Sequence, residues 1–159
     1  MEGNIMSFEG NKAIIRGLIK VFNNHNVALL DNFISPDFVD APNTPFELKG
    51  LDSFKKFETN VIKAFPDYNE IIEDIIAEGD KVWVWLTVTM THMGEWNIFG
   101  VSIPPTHKKI SYTVVNVWRV VDGKAIERKS LRDMLDFFNK LGIVEYTEKG
   151  KKLFPEGVS

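Results

Sequence analysis

Apolar residues sit at helical spacing in the first third of the chain and alternate with polar ones further on. From Asn11, residues Ile14, Leu18, Ile19 and Phe22 mark one face of a helix that Asn23-Asn24-His25-Asn26 stops. Val27–Ile34 continues as a shorter helical piece ended by Ser35-Pro36. Asp37 to Gly50, with Pro42 and Pro45, reads as a strand fragment (Phe38, Val39, Asp40) followed by loop. Phe54, Phe57, Val61 and Phe65 then form the stripe of a second helix from about Leu51, closed by Pro66-Asp67.

Beyond that break the period is two. Strands are predicted over Tyr68–Ala77, Lys81–His92, Lys108–Val121 and Ala125–Leu131. Glu78-Gly79-Asp80 and Asp122-Gly123 supply tight turns, the second a strong hairpin signal. Gly94 to His107 reads as a broken connection. A short helix over Met134–Leu141 stops at Gly142. Residues 1–10 form a lead-in, 11–145 one domain, and 146–159 a mobile or surface-laid tail. Helices, then a run of antiparallel strands, then a helix is the α+β class, here a curved, mostly antiparallel sheet around helices with an internal pocket.

Composition narrows the chemistry. A chain of 159 residues with 44% hydrophobic and 26% charged residues is globular. A net charge of −3 argues against nucleic acid. The absence of cysteine excludes disulfides, thiolate metal sites and cysteine nucleophiles. His25, His92 and His107 lack metal-ligand spacing, and no phosphate loop or nucleophile elbow occurs. No basic-then-apolar leader opens the chain, and no apolar run approaches the ~18 residues of a membrane span. A cytoplasmic protein without membrane or nucleic-acid partners is expected.

Parity groups side chains without saying where they point. Trp83 and Trp85 share one face of their strand; Tyr112, Asn116 and Trp118 share one face of theirs. Inward, the second set would give a pocket a polar group and a wall, with Phe38 as a further wall. Outward, it would be interface.

The chain resembles the SnoaL-like polyketide/ester cyclases of the nuclear-transport-factor-like superfamily. The matching pieces are the Asn11–Asn26 helix, the run from Phe33 through Asp40, Phe65-Pro66-Asp67, and the run from Ile76 through Val82. They continue with Thr89 through Glu95, Ile103-Pro104-Pro105-Thr106, Trp118-Arg119-Val120, Asp122-Gly123-Lys124, and Asp133 ahead of Leu141-Gly142. The resemblance implies a cone-shaped α+β barrel, an apolar pocket, a homodimer and no cofactor. Many relatives carry His-Trp-Asp where this chain has Arg128-Lys129-Ser130, so an acidic and an aromatic position are missing.

Asp133 matches the second acidic position, credited in the cyclases with acid/base work, and Thr91-His92 matches a family Thr-His. By resemblance Asp133 is therefore the general acid/base and His92 donates to a substrate carbonyl or tunes the acid. Asn116, Trp118, Tyr112 and Phe38 would contact the substrate. Asp133 also stands where a helix begins, and Asp is a favoured cap there. The expected function is a cofactor-free cyclase, or related lyase or isomerase, on a small apolar carbonyl compound. The alternative is a non-catalytic protein of the same fold that binds a small hydrophobic ligand.

Overall fold

The computed structural model describes residues 8–41 and 47–154. Helix α1 spans Phe8–Asn23 and α2 spans Leu51–Ala64. In α1 the predicted stripe is buried at Leu18, Ile19 and Phe22, while Ile14 is only partly buried and Ile15 takes the core position beside it. Each large apolar side chain buried this way contributes about 1.5–3 kcal/mol. Between the helices lie a 3-10 helix (Val27–Asn32) and strands β1 (Ile34–Asp40) and β2 (Leu48–Lys49). The second half holds β3 (Asn69–Glu78), β4 (Lys81–Thr91), β5 (Trp96–Ile98), β6 (Val101–Ile103), β7 (Lys109–Val121) and β8 (Lys124–Arg132). Helices α3 (Met134–Leu141) and α4 (Glu148–Leu153) end the described chain.

Six strands form one curved sheet in the order β2-β1-β8-β7-β4-β3, and it does not close into a barrel. All neighbours are antiparallel except β1 and β8, which run parallel. That single parallel pair brings Asp40 beside Arg128, 88 residues later. Burial alternates strictly on β4, with Val82, Val84, Leu86, Val88 and Met90 inside. Trp83 and Trp85 face outward, about half exposed. The same alternation puts Tyr112, Asn116 and Trp118 inside. Helices α1 and α2 lie against the sheet, α1 mainly on β3 and α2 mainly on β1.

Three local readings change. Strand β1 starts at Ile34, inside the stretch read as helical, and runs through Pro36. Its pairing with β8 shifts register between Ile34 and Val39, so the ladder never needs the N–H that proline lacks. The connection after β4 is not featureless, because β5 and β6 pair as a small hairpin. Its turn residues Phe99 and Gly100 both have positive φ (54° and 76°), the requirement of a tight primed turn. The tail contains α4, which buries none of its residues. The predicted Asp122-Gly123 turn forms with φ of 49° and 75°, and Gly142 ends α3 in the left-handed region. The loop with Pro42 and Pro45 and most of the lead-in lie outside the described residues.

Candidate active site

A cavity of about 330 Å³ opens between α2, the inner sheet face, the β5–β6 hairpin and α3. That is the small end of the range for small-molecule sites. Its walls are mostly apolar and include Val61, Phe65, Met90, Trp96 and Phe137. Into this setting come Asp40, Glu58, Tyr68, Tyr112, Arg128 and Arg132.

Arg128 anchors the polar group. Its Nε and Nη2 each donate to one carboxylate oxygen of Asp40, at 2.7 Å. This two-point contact matches the planar fork of a guanidinium to a carboxylate. Its guanidinium carbon lies 4.9 Å from the Phe54 ring centroid and 5.3 Å from that of Trp118. Burial opposes the charge on Arg128, but Asp40 and Glu58 outweigh it and hold the pKa above the usual value.

Glu58 sits on α2 with an oxygen 4.0 Å from Arg128 Nη2. It is only 8% exposed. Burial raises its pKa from 4.5 to about 7, with help from Glu70 and Asp40 against the pull of Arg128. Tyr68 donates a short hydrogen bond to Glu70, which stands next to it on the inner face of β3. Burial first, then Glu70, lifts the Tyr68 pKa. Tyr112 packs edge-on against Phe137 at 5.0 Å. Burial pushes its hydroxyl up to about 12, so it remains a donor at neutral pH.

The residues expected from sequence are dispersed. Tyr112 lines the cavity. Phe38 and Trp118 are fully buried beneath it, stacked on each other at 6.0 Å. Asn116 is buried next to Ser130 on the neighbouring strand, and its Oδ1 has no hydrogen-bond partner. His92 is completely buried behind two cavity walls, stacked on Phe65 at 5.0 Å and edge-on to Trp96 at 6.3 Å. The Thr106 backbone N–H donates to its Nδ1 at 3.3 Å, which leaves the ring proton on Nε2. Burial lowers its pKa, so the ring is neutral.

Asp133 does not line this cavity; it lines a separate, more open groove with Thr113, Asp136 and Lys140. It is exposed, precedes α3 as its N-cap, and accepts from the Asp136 N–H at 2.9 Å. Strand parity accounts for this: Arg128, Ser130 and Arg132 share the inner face of β8, and Asp133 follows on the other side. As a cap it is expected to tolerate Asn with little change in melting temperature. Asp133→Ala should cost about 1 kcal/mol. Thermal melts of the two variants check this, and a large loss in Asp133→Asn would point to a role beyond capping.

Asp40, Glu58, Arg128 and Arg132 were not singled out from sequence as site residues. One signal existed for Glu58. Leu51, Phe54, Glu58, Val61 and Phe65 are spaced 3, 4, 3 and 4 apart, so a carboxylate occupies a stripe position. Among the described residues no group of three or more His, Asp or Glu is placed to hold a metal ion.

Comparison with known proteins agrees with this architecture. The chain is similar to AclR of Streptomyces galilaeus, described as a candidate hydroxylase, at 30% identity and TM-score 0.73 over 87% of this chain and 100% of that one. It is similar to wild-type IdmH of Streptomyces antibioticus, described as a candidate polyketide cyclase, at 26% identity and TM-score 0.67 over 83% and 98%. A candidate SnoaL-like polyketide cyclase from Jannaschia sp. CCS1, at 19% identity and TM-score 0.76 over 91% and 99%, shares the fold. No curated protein matches the chain in sequence. Residues 12–141 match the family model for SnoaL-like polyketide cyclases, and the chain belongs to that family.

Proposed function

We propose that the protein is an acid/base cyclase, or a related lyase or isomerase, acting on a small, largely apolar carbonyl compound, with Glu58 as the proton-transfer group. The observation that carries this reading is a buried carboxyl with a pKa of about 7, set in an apolar cavity beside a guanidinium. A group whose pKa lies near the working pH serves as both base and acid. Ionised Glu58 removes a proton from the carbon next to a carbonyl. The Tyr112 hydroxyl donates to the enolate oxygen as charge develops there. The enolate carbon then bonds to a second carbonyl carbon, and protonated Glu58 returns its proton to the resulting alkoxide. The acid/base role passes from Asp133 to Glu58 because Asp133 is exposed and lines an open groove instead of the apolar cavity. His92 acts through the walls it supports, Phe65 and Trp96.

The test needs no knowledge of the natural substrate. In deuterated buffer, 2-acetylnaphthalene should exchange its methyl protons faster with the protein than without it. The rate should rise as pH passes through about 7 and level off above it, since the base form is the active one. Binding of the ketone without faster exchange would make the chain a carrier of hydrophobic small molecules instead.

We propose a homodimer as the working assembly. The outer sheet face presents Ile76, Trp83, Trp85 and Leu131 to solvent, an apolar face that a second copy would cover. Light scattering at micromolar concentration should return about twice the 18.2 kDa chain mass. A value near one chain would remove this part of the proposal.

A further inference from the structure

One guanidinium at the cavity lacks a direct partner. Asp40 and Arg128 neutralise each other through their paired hydrogen bonds. Glu58 has a raised pKa and lies near Arg128. Glu70 also has a raised pKa, from burial, and is engaged by the Tyr68 hydroxyl. Arg132 lines the same cavity and is half-buried. Its guanidinium makes no ion pair and no hydrogen bond with any described residue, the direct carboxylate contacts here being those of Arg128, and it acts on Glu58 and Glu70 only at longer range. A partly desolvated guanidinium among apolar walls favours a counter-charge far more than one in water does. Glu58 and Glu70 act on it only from beyond ion-pair distance, so a ligand carboxylate can supply the direct partner that the protein does not.

We infer that the compound bound in this cavity carries a carboxylate, ionised at neutral pH, that pairs with Arg132. The inference rests on the reading of this cavity as the substrate site and specifies what the substrate must bring. Arg132 follows Arg128 by four residues on the same face of β8, about 13 Å along an extended strand. The carboxylate therefore lies toward the α3 end, where Met134 and Phe137 also line the cavity. The carbonyl under attack lies toward Glu58 and Arg128. A planar apolar body spans the two ends, and Arg132 fixes which end enters where. Arginine suits this task because its fork holds both carboxylate oxygens and sets orientation as well as charge.

Titration calorimetry with 2-naphthoate and its neutral isostere 2-naphthamide tests this. The titrations are run at pH 6, where the Glu58 carboxyl is mostly protonated and 2-naphthoate is ionised. The native protein should bind 2-naphthoate at least tenfold more tightly than 2-naphthamide. In Arg132→Gln the preference should fall to about one, with 2-naphthamide affinity held within twofold as proof of an intact cavity. Arg132→Lys should restore part of the preference. Equal binding of the two probes by the native protein, a preference that survives in Arg132→Gln, or binding of neither overturns the inference. Glu58→Gln should keep the preference, so failure of the proton-transfer reading and failure of the anion reading appear in different variants.

Discussion

Glu58→Gln is expected to slow α-proton exchange of a bound ketone by roughly two to four orders of magnitude, the usual contribution of a positioned general base. The amide keeps the shape and polarity of the carboxyl but cannot take the proton. The same variant should become more stable than the native protein at alkaline pH. The sign follows from the protons bound. Unfolded, Glu58 titrates near its ordinary 4.5; folded, it titrates at about 7. Between these values the folded chain holds a proton that the unfolded chain has released. The stabilisation is complete below the lower value and is lost as pH rises through the higher one. A shift of this size corresponds to a loss on the order of 3 kcal/mol. For a domain of this length that is roughly 10 °C in melting temperature. Gln stays neutral throughout, so its melting temperature should change less between pH 5 and pH 8. Slower exchange together with a higher alkaline melting temperature cannot come from unfolding. Unchanged exchange would remove Glu58 from the proposed chemistry.

The frame of the molecule was legible because it depends on local periodicity. The Phe54, Phe57, Val61 and Phe65 stripe places α2 within a residue of its observed end, and period-two alternation finds β3, β4, β7 and β8. The site was less legible for three physical reasons. A search for apolar stripes passes over a carboxylate standing in one, which hides Glu58. The Asp40–Arg128 pair depends on a parallel contact between strands far apart in sequence, and local pattern does not report it. Arg128-Lys129-Ser130 reads as the loss of an acidic and an aromatic position, yet the fold turns Arg128 and Ser130 inward and Lys129 outward. Asp133 illustrates the converse. Its place before Met134 suits an acid or a cap equally well, and the direction of its side chain decides.

Removing one partner of the buried ion pair should have the largest effect on stability. Asp40 and Arg128 are 2% and 6% exposed. Asp40→Ala would leave the guanidinium without its two-point acceptor, and an uncompensated buried charge costs about 3–5 kcal/mol. Chemical denaturation should register that loss. The double variant Asp40→Leu with Arg128→Met should recover most of it, because apolar side chains of similar size replace a buried pair at little net cost. The milder Asp40→Asn separates the structural role from a functional one. Asp40 raises the pKa of Glu58, whereas Arg128 lowers it. With the Asp40 charge gone, Arg128 has Glu58 as its nearest remaining carboxylate and should favour its ionised form. The rise in exchange rate that the native protein shows near pH 7 should then move to lower pH in Asp40→Asn. A melting temperature that falls while the pH midpoint stays in place would mean that Asp40 holds Arg128 in the fold without tuning the proton-transfer group.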